Sequence, residues 1–378
     1  MAVVLLILLI SLLVLVHELG HFLAAKRAGV HVEEFGLGIP PRLFGKKIGE
    51  TLYSINLLPF GGFVKLTGED APESGDSALA GADPHNFLSK NAFTKLAILG
   101  FGVLMNFLFA ILLYYVFFFS VGYKSLALPV FFDYKFRFGD QKVLNTVVND
   151  TQPDGPAQAA GLLRGEAIIE IDDKPVYSVD DIKKALIDKA DTETKVLLLD
   201  VTKLSGGIRT VKVVAGGDGG ANGLLGVFLS KAIILDYSQN PWLSAPMHAY
   251  NILGYSVDTL VNLVGLSAKT KDLTIVSQSV SGPVGVFSVI DGILLYAKDE
   301  LFLRLVDLTA LLSLTIAFVN ILPFPALDGG RILFVVLEIL TGKKINPLLE
   351  ARIHKWGMIA LLGLLFLVTF KDVKNIIG

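Results

Sequence analysis

Residues 14–27 read VLVHELGHFLAAKR, and three of them carry side chains able to do chemistry: His17, Glu18 and His21. On a helix, histidines four apart differ by about 40° in azimuth and about 6 Å in rise, so both rings face one side and can share a metal. Glu18 lies on the adjacent face, where in this pattern a glutamate acts as general base toward the water a metal activates. Zn2+ suits imidazole donors and brings the pKa of such a water to about 7. Gly20, between the pair, leaves room for a backbone or a substrate to approach. Without a metal these would be two interfacial histidines near a helix end. That is the poorer account: six histidines in 378 residues produce this spacing by accident far less than once, and ionisable groups in an apolar segment need a reason.

The element that carries the motif is an apolar run beginning at the N-terminus. Sixteen residues precede His17, about 24 Å of helix at 1.5 Å per residue, against a hydrocarbon core of about 30 Å. Lys26 and Arg27 follow almost at once. The metal would lie inside the membrane, toward the side on which those charges sit, and water would need a protein-lined cavity to reach it. A cleavable signal peptide is the other reading of such a run, but residues 2–16 have no basic residue and HELGH falls where cleavage would occur.

Catalytic zinc wants three protein ligands plus water. His31, Glu33 and Glu34 are local candidates, but they follow Gly29 and need a sharp return of the chain. Asp328 is the better one. It stands in TIAFVNILPFPALDGGR, residues 315–331, after Pro323 and Pro325 and before Gly329 and Gly330. The prolines break a helix, the glycines permit an unusual path, and the carboxylate arrives at the depth of HELGH. Seen alone, the same residues would be an Asp-Gly turn.

Composition agrees with a membrane setting. The chain is 53% hydrophobic and 18% charged, with a mean hydropathy of +0.62, whereas soluble domains are about 45–50% apolar and about 25% charged. Net charge is −2 and no dense basic block occurs, so no nucleic-acid partner is expected. Cysteine is absent, which removes disulfides, thiolate catalysis and cysteine-ligated zinc. Four segments are long enough to span a bilayer, roughly 2–24, 96–121, 304–323 and 354–372. Basic residues cluster between the first two and between the last two, so both connections are expected in the cytoplasm, with both termini and the long central segment outside. Lys371 and Lys374 count weakly against this. Residues 240–300 have helical spacing with polar interruptions, suited to interfacial helices more than to a fifth span. Residues 69–86 read as a loop.

The expected fold class is therefore a polytopic α-helical membrane protein of about four transmembrane helices with an inserted β-rich domain. Residues 1–123 hold the first two spans and a cytoplasmic β-loop, 124–232 the outer domain, 233–303 linker helices and 304–378 the last two spans. The outer segment alternates in the strand manner, as in KVLLLDVTK and TVKVVAG.

HELGH in a first span paired with NILPFPALDGGR in a later one resembles the site-2 protease family of intramembrane zinc metalloproteases. FGLGIPPRLF, TLYSINLLPFGGFVKLTGED and SGPVGV resemble segments of its bacterial branch with an extracytoplasmic PDZ domain, and the similarity covers nearly the whole chain. The resemblance implies zinc on His17, His21 and Asp328, with Glu18 as base. It implies that Asn320, with Pro323 beside it, holds the substrate backbone; bonding to a neighbouring helix is the ordinary alternative for Asn320, and the expected role of Asn106. In the family, LLPFGGFVKL (57–66) dips into the membrane. Gly61, Gly62 and Phe63 there could pair with an unwound substrate by strand addition, where a plain hairpin is the other reading. VVNDTQPDGPAQAAGLLRGEAIIEIDDKPVYSVDDIKKAL resembles a PDZ domain of the bacterial permuted type. GLLGVFL would then be its binding loop and strand, with Gly226 giving a peptide C-terminus access to backbone amides; steric gating without a peptide is the alternative.

The function so implied is cleavage of single-span membrane proteins, such as anti-sigma factors or remnant signal peptides, in the inner or plasma membrane of a bacterium. Competing readings are a membrane-anchored zinc protease with a cytoplasmic active site, which predicts a soluble setting for HExxH, and an inactive PDZ-bearing scaffold, which predicts a broken motif.

Overall fold

The computed structural model describes residues 1–69, 83–187, 189, 192–201, 203, 206–216, 225–272, 274, 276, 280–296 and 300–377. Residues 70–82, most of the expected 69–86 loop, lie outside these, as do Gly223 and Leu224 of GLLGVFL. The chain forms two compact units, Met1–Tyr114 with Leu263–Gly378, and Tyr115–Asn262.

Four helices are long and apolar enough to cross a membrane: α1 (Ala2–Arg27), α2 (Ala92–Val121), a helix at Leu301–Ile321 and one at Pro347–Ile377. The first two are apolar along most of their length, as a span in lipid requires. α1 stops where Gly29 turns left-handed (φ 66°), and Lys90 Nζ donates to the freed carbonyls of Ala28 and Gly29 at 2.7 and 3.3 Å.

Strands β1 (Val32–Ile48) and β2 (Thr51–Leu66) follow. Each folds on itself, so the pairing is that of four short runs. Phe35 faces both Tyr53 and Val64, and Phe44 faces Ile55. The run 32–37 is thus central, 51–56 lies beside it, 42–48 closes one side and 58–66 forms the other edge. Among the described residues, Leu58–Leu66 has a strand along one side only. A plain hairpin, one reading of this segment, is too simple: β1 flanks the run 51–56 on both sides and the run 58–66 on one.

The second unit holds β3 (Leu128–Pro129), β4 (Asp140–Thr151), α3 (Pro156–Ala159), β5 (Glu166–Ile171), β6 (Lys174–Pro175), α4 (Val179–Leu186), β7 (Glu193–Asp200), β8 (Ile208–Val214) and β9 (Val227–Asp236). The sheet order is β3-β9-β4-β5-β7-β8, with β6 on β5. Inward positions of alternating strands make its core, with Val148, Ile168, Val196 and Leu198 packed on Ile182 and Leu186 of α4. The boundary expected at 232 falls inside β9, which continues to pair with β4 as far as Asp236. Helix α5 (Ser244–Thr270) also begins within this unit. Its Asn251 accepts from the backbone N–H groups of Arg137 and Phe138 and donates to Phe138 O and Tyr237 Oη. Tyr237 Oη in turn lies 3.1 Å from His248 Nδ1. This buried network ties α5 to the sheet.

In the first unit, α6 (Pro283–Tyr296) leads to α7 (Leu301–Ile321), α8 (Asp328–Thr341) and α9 (Pro347–Ile377). SGPVGV is the capped start of α6: Asp372 Oδ2 of α9 accepts from Gly282 N at 2.8 Å and Gly285 N at 3.2 Å.

Candidate metal centre

HELGH lies in the C-terminal half of α1, nearly two turns before its end, and Asp328 is the first residue of α8. The structure brings His17, His21 and Asp328 together, with one ligand atom from each lying within 4.8 Å of the others. His17 Nε2 is 2.9 Å and His21 Nε2 3.4 Å from Asp328 Oδ2, and the two Nε2 atoms are 3.2 Å apart. Zinc bonds of about 2.0–2.1 Å in a tetrahedron require ligand separations of about 3.3 Å. Asp328 Oδ2 is buried yet accepts no well-directed hydrogen bond. An orphaned carboxylate oxygen facing two imidazole nitrogens is what a shared cation resolves, so these residues fit zinc. Three protein donors leave a fourth position open.

The rings are oriented from behind. His21 Nδ1 lies 2.9 Å from the Ile98 carbonyl, so Nδ1 carries the proton and Nε2 keeps its lone pair for a metal. Behind His17 stands Asn106 of α2, fully buried, its amide nitrogen 3.5 Å from Nδ1 and its Oδ1 without a partner. Turning that amide over presents Oδ1 to Nδ1–H, the tautomer that frees Nε2. Asn106 is therefore more than the helix-packing residue expected from the sequence. Its signal was there: a polar side chain within a span, which membranes tolerate for a reason.

Close backbone approach makes the centre possible. A Cβ on Gly20 would lie 2.3 Å from Phe101 O, so the backbone that Gly20 admits is that of α2. A Cβ on Gly102 would lie 2.3 Å from His21 Nε2 and 2.9 Å from His17 Cε1. Gly102 was not singled out from the sequence, because an isolated glycine in an apolar helix carries no chemistry by itself.

Asp328 is delivered by a tight loop. Ala326 holds a left-handed φ of 80°, and its N–H donates to His354 Nδ1 of α9 at 2.8 Å. A Cβ on Gly329 would lie 2.2 Å from Leu322 O, and one on Gly330 2.4 Å from Phe324 O. Both glycines of ALDGG are thus required by the returning chain. Gly357 of α9 admits Pro325 in the same way.

The local third-ligand candidates are engaged elsewhere. His31 faces Glu50 at 3.2 Å, Glu33 pairs with Lys65 at 2.9 Å, and Glu34 binds Arg42 at 2.8 Å and Ser54. They lie on or beside β1, each engaged by a partner outside the ligand trio.

Of the remaining site residues, Asn320 comes closest to the ligands, with Nδ2 3.4 Å from His17 Nε2. Pro323 is exposed in the loop between α7 and α8. The edge run of β2 lies along the α1 face bearing Ser11, Val14 and Glu18: Ser11 Oγ donates to Pro59 O at 2.6 Å, and Cβ atoms on Gly61 and Gly62 would lie 3.5 Å from Val14 and 3.8 Å from Glu18 Cγ. Phe63 covers Gly36, where a Cβ would lie 2.5 Å from its ring. Gly226 belongs to the other unit, left-handed at φ 65°, its carbonyl accepting from Gln152 N at 2.8 Å.

The HExxH pair, the third carboxylate and the four apolar helices fit a membrane metallopeptidase, and comparison with known proteins gives the family. Residues 5–364 match the model of peptidase family M50. A Clostridium perfringens protein, whose name provisionally assigns zinc metalloprotease activity, is 31% identical, covering 99% of this chain and 98% of its own. The zinc metalloprotease RasP of Bacillus licheniformis is 28% identical, covering 98% of both chains. A Helicobacter pylori relative with a provisional name like the first is 30% identical, covering 98% and 99%. The chain belongs to peptidase family M50, the site-2 proteases, and is a zinc metalloprotease.

Proposed function

We propose that this protease hydrolyses peptide bonds within the membrane-spanning segments of single-span membrane proteins, in the inner or plasma membrane of a bacterium. The observation that carries the reading is the placement of the ligand trio. Two ligands stand on a helix apolar along its length, and the third begins a helix reached through the NILPFPALDGG loop. Substrates of the anti-sigma-factor or remnant-signal-peptide type fit this reading.

His17, His21 and Asp328 would hold the zinc, which would supply Lewis acidity and lower the pKa of water to about 7. Glu18, one residue from His17 and beside the edge run of β2, takes the proton from the attacking water and passes it to the leaving amine. The main chain of Gly61–Phe63 lies along the same helix face, with one side unpaired by any strand among the described residues. It pairs with the unwound substrate by strand addition, which holds an extended peptide bond beside the base. Asn320 binds the substrate backbone on the other side. A helical substrate hides its carbonyls in its own hydrogen bonds, so an edge that exchanges those bonds is a requirement of the chemistry.

The β-rich unit is a PDZ domain on the extracytoplasmic side. It admits substrates whose outer bulk has been removed, and the loop at Gly226 takes a peptide C-terminus. The order strand, short helix α3, strand, helix α4 and a final strand after a Gly-containing loop supports this assignment.

The test is a single-span substrate reconstituted with the full chain in vesicles, with products mapped by mass spectrometry. The expected cut lies within the apolar segment, is suppressed by a zinc chelator, and is slower when a folded outer domain is restored to the substrate. Cuts confined to the water-exposed flanks would reject the intramembrane reading and favour a membrane-anchored protease with a cytoplasmic site.

A further inference from the structure

Between the C-terminal end of α1 and the N-terminal end of α2 lies a cavity of about 660 Å³, which none of the ligand side chains lines. That volume is within the range of small-molecule sites, about 300–1,000 Å³. Its wall is apolar, with Leu23 from α1 and Phe93, Ala97, Ile98 and Phe101 from α2. Leu23, Phe93 and Phe101 are 47, 78 and 41% exposed, a contiguous apolar surface that calls for a partner. The charged side chain in the wall is Arg27.

Arg27 differs from its basic neighbours. Lys26 is paired with Glu50, and Lys90 is bound to the carbonyls of Ala28 and Gly29, whereas Arg27 has no ion pair or hydrogen-bond partner among the described residues. Its depth suits a headgroup. The 26 residues of α1 make about 39 Å of helix, more than the roughly 30 Å hydrocarbon core. Arg27, the last of them, therefore reaches headgroup level, with Leu23 one turn nearer the hydrocarbon.

We propose that this cavity is a binding site for an anionic phospholipid, with its phosphate on the Arg27 guanidinium and an acyl chain along Leu23, Ala97 and Phe101. Guanidinium offers phosphate a bidentate fork, and basic pockets between spans are where anionic headgroups bind. A free phosphate would leave the apolar wall unused, so the occupant is a lipid. The site has a bearing on the metal centre: Ile98 lines the cavity, and its carbonyl holds His21 Nδ1. The proposal requires only that α1 and α2 span the membrane, so its failure leaves the proposed cleavage reaction untouched.

Native mass spectrometry of the full chain, extracted from vesicles of equal phosphatidylglycerol and phosphatidylcholine, tests it. The wild-type chain is expected to retain phosphatidylglycerol at least tenfold over phosphatidylcholine. Arg27→Glu should abolish that preference, and Ala97→Trp, at an exposed position of the wall, should remove bound lipid, both with unchanged melting temperature and zinc content. Equal retention of the two lipids by the wild-type chain, which needs no variant to read, would overturn the proposal. So would retention of phosphatidylglycerol by both variants, its displacement by inorganic phosphate, or a lipid-free dimer of the wild-type chain that Ala97→Trp abolishes.

Discussion

Gly102 of α2 faces His21 of α1 so closely that a Cβ there would meet Nε2 at 2.3 Å. The metal-facing nitrogen of one span therefore depends on an absent side chain in another. Two residues earlier, Gly100 has nothing within 4 Å of its would-be Cβ, so the helix offers its own control.

Gly102→Ala should displace the His21 ring, lowering zinc affinity by at least about tenfold, the scale of disrupted ligand orientation. Gly100→Ala should leave zinc unchanged and leave stability unchanged or raised by up to about 1 kcal/mol. Zinc stoichiometry under graded chelator, measured on both variants, checks the pair. Equal zinc binding by Gly102→Ala and wild type would show that the ring tolerates the contact.

Asn106→Ala removes the group facing His17 Nδ1. A lost partner behind a metal-ligating histidine costs about 10–100-fold in metal affinity or activity. The same chelator titration reads it, and Asn106→Gln should fail to rescue, since the buried site has no room for a further methylene.

His354→Leu should orphan the N–H of Ala326, at a cost of about 1–3 kcal/mol, and release the left-handed residue two positions before Asp328. His354→Gln can supply an acceptor and should recover part of the loss. Thermal unfolding and zinc content together separate these outcomes; indistinguishable Leu and Gln variants would remove the hydrogen bond from the account.

Burial holds His248 down to about 3, far below its ordinary 6.5. The folded histidine therefore stays neutral where the unfolded one takes up a proton. Its contribution is intact above pH 6.5 and is lost as pH falls, by about 2 kcal/mol at pH 5. Hydrogen exchange at Tyr237 and Asn251 should accelerate by about 30-fold between pH 7.5 and pH 5 once the intrinsic rate is corrected, and His248→Gln should flatten that slope. An unchanged slope in the variant would assign the acid sensitivity elsewhere.

The parts of the site carried by local chemistry were legible in the sequence. HELGH names its own geometry, and the structure brings Asp328 to it from the far end of the chain, where prolines and glycines had marked an abnormal path. The supporting residues were less legible for a physical reason. Gly102 acts through space left empty, Ile98 through a carbonyl every residue has, and His354 through a backbone bond to a loop formed by another helix. The four-run pairing of β1 and β2 was likewise hidden, because period-two patterning reports a face and not the order of partners. The end of the β-rich unit was misplaced because β9 changes no composition at Leu229–Asp236 while its pairing with β4 continues.

In the proposed reaction Glu18 would act on water beside a zinc that it does not bind. Glu18→Gln in the full chain, assayed for zinc content and for cleavage of a reconstituted single-span substrate, tests this most directly. The variant is expected to retain one zinc per chain and lose cleavage by at least about a hundredfold, the lower range of general-base contributions. Cleavage at the wild-type rate by a zinc-loaded Glu18→Gln chain would contradict the account.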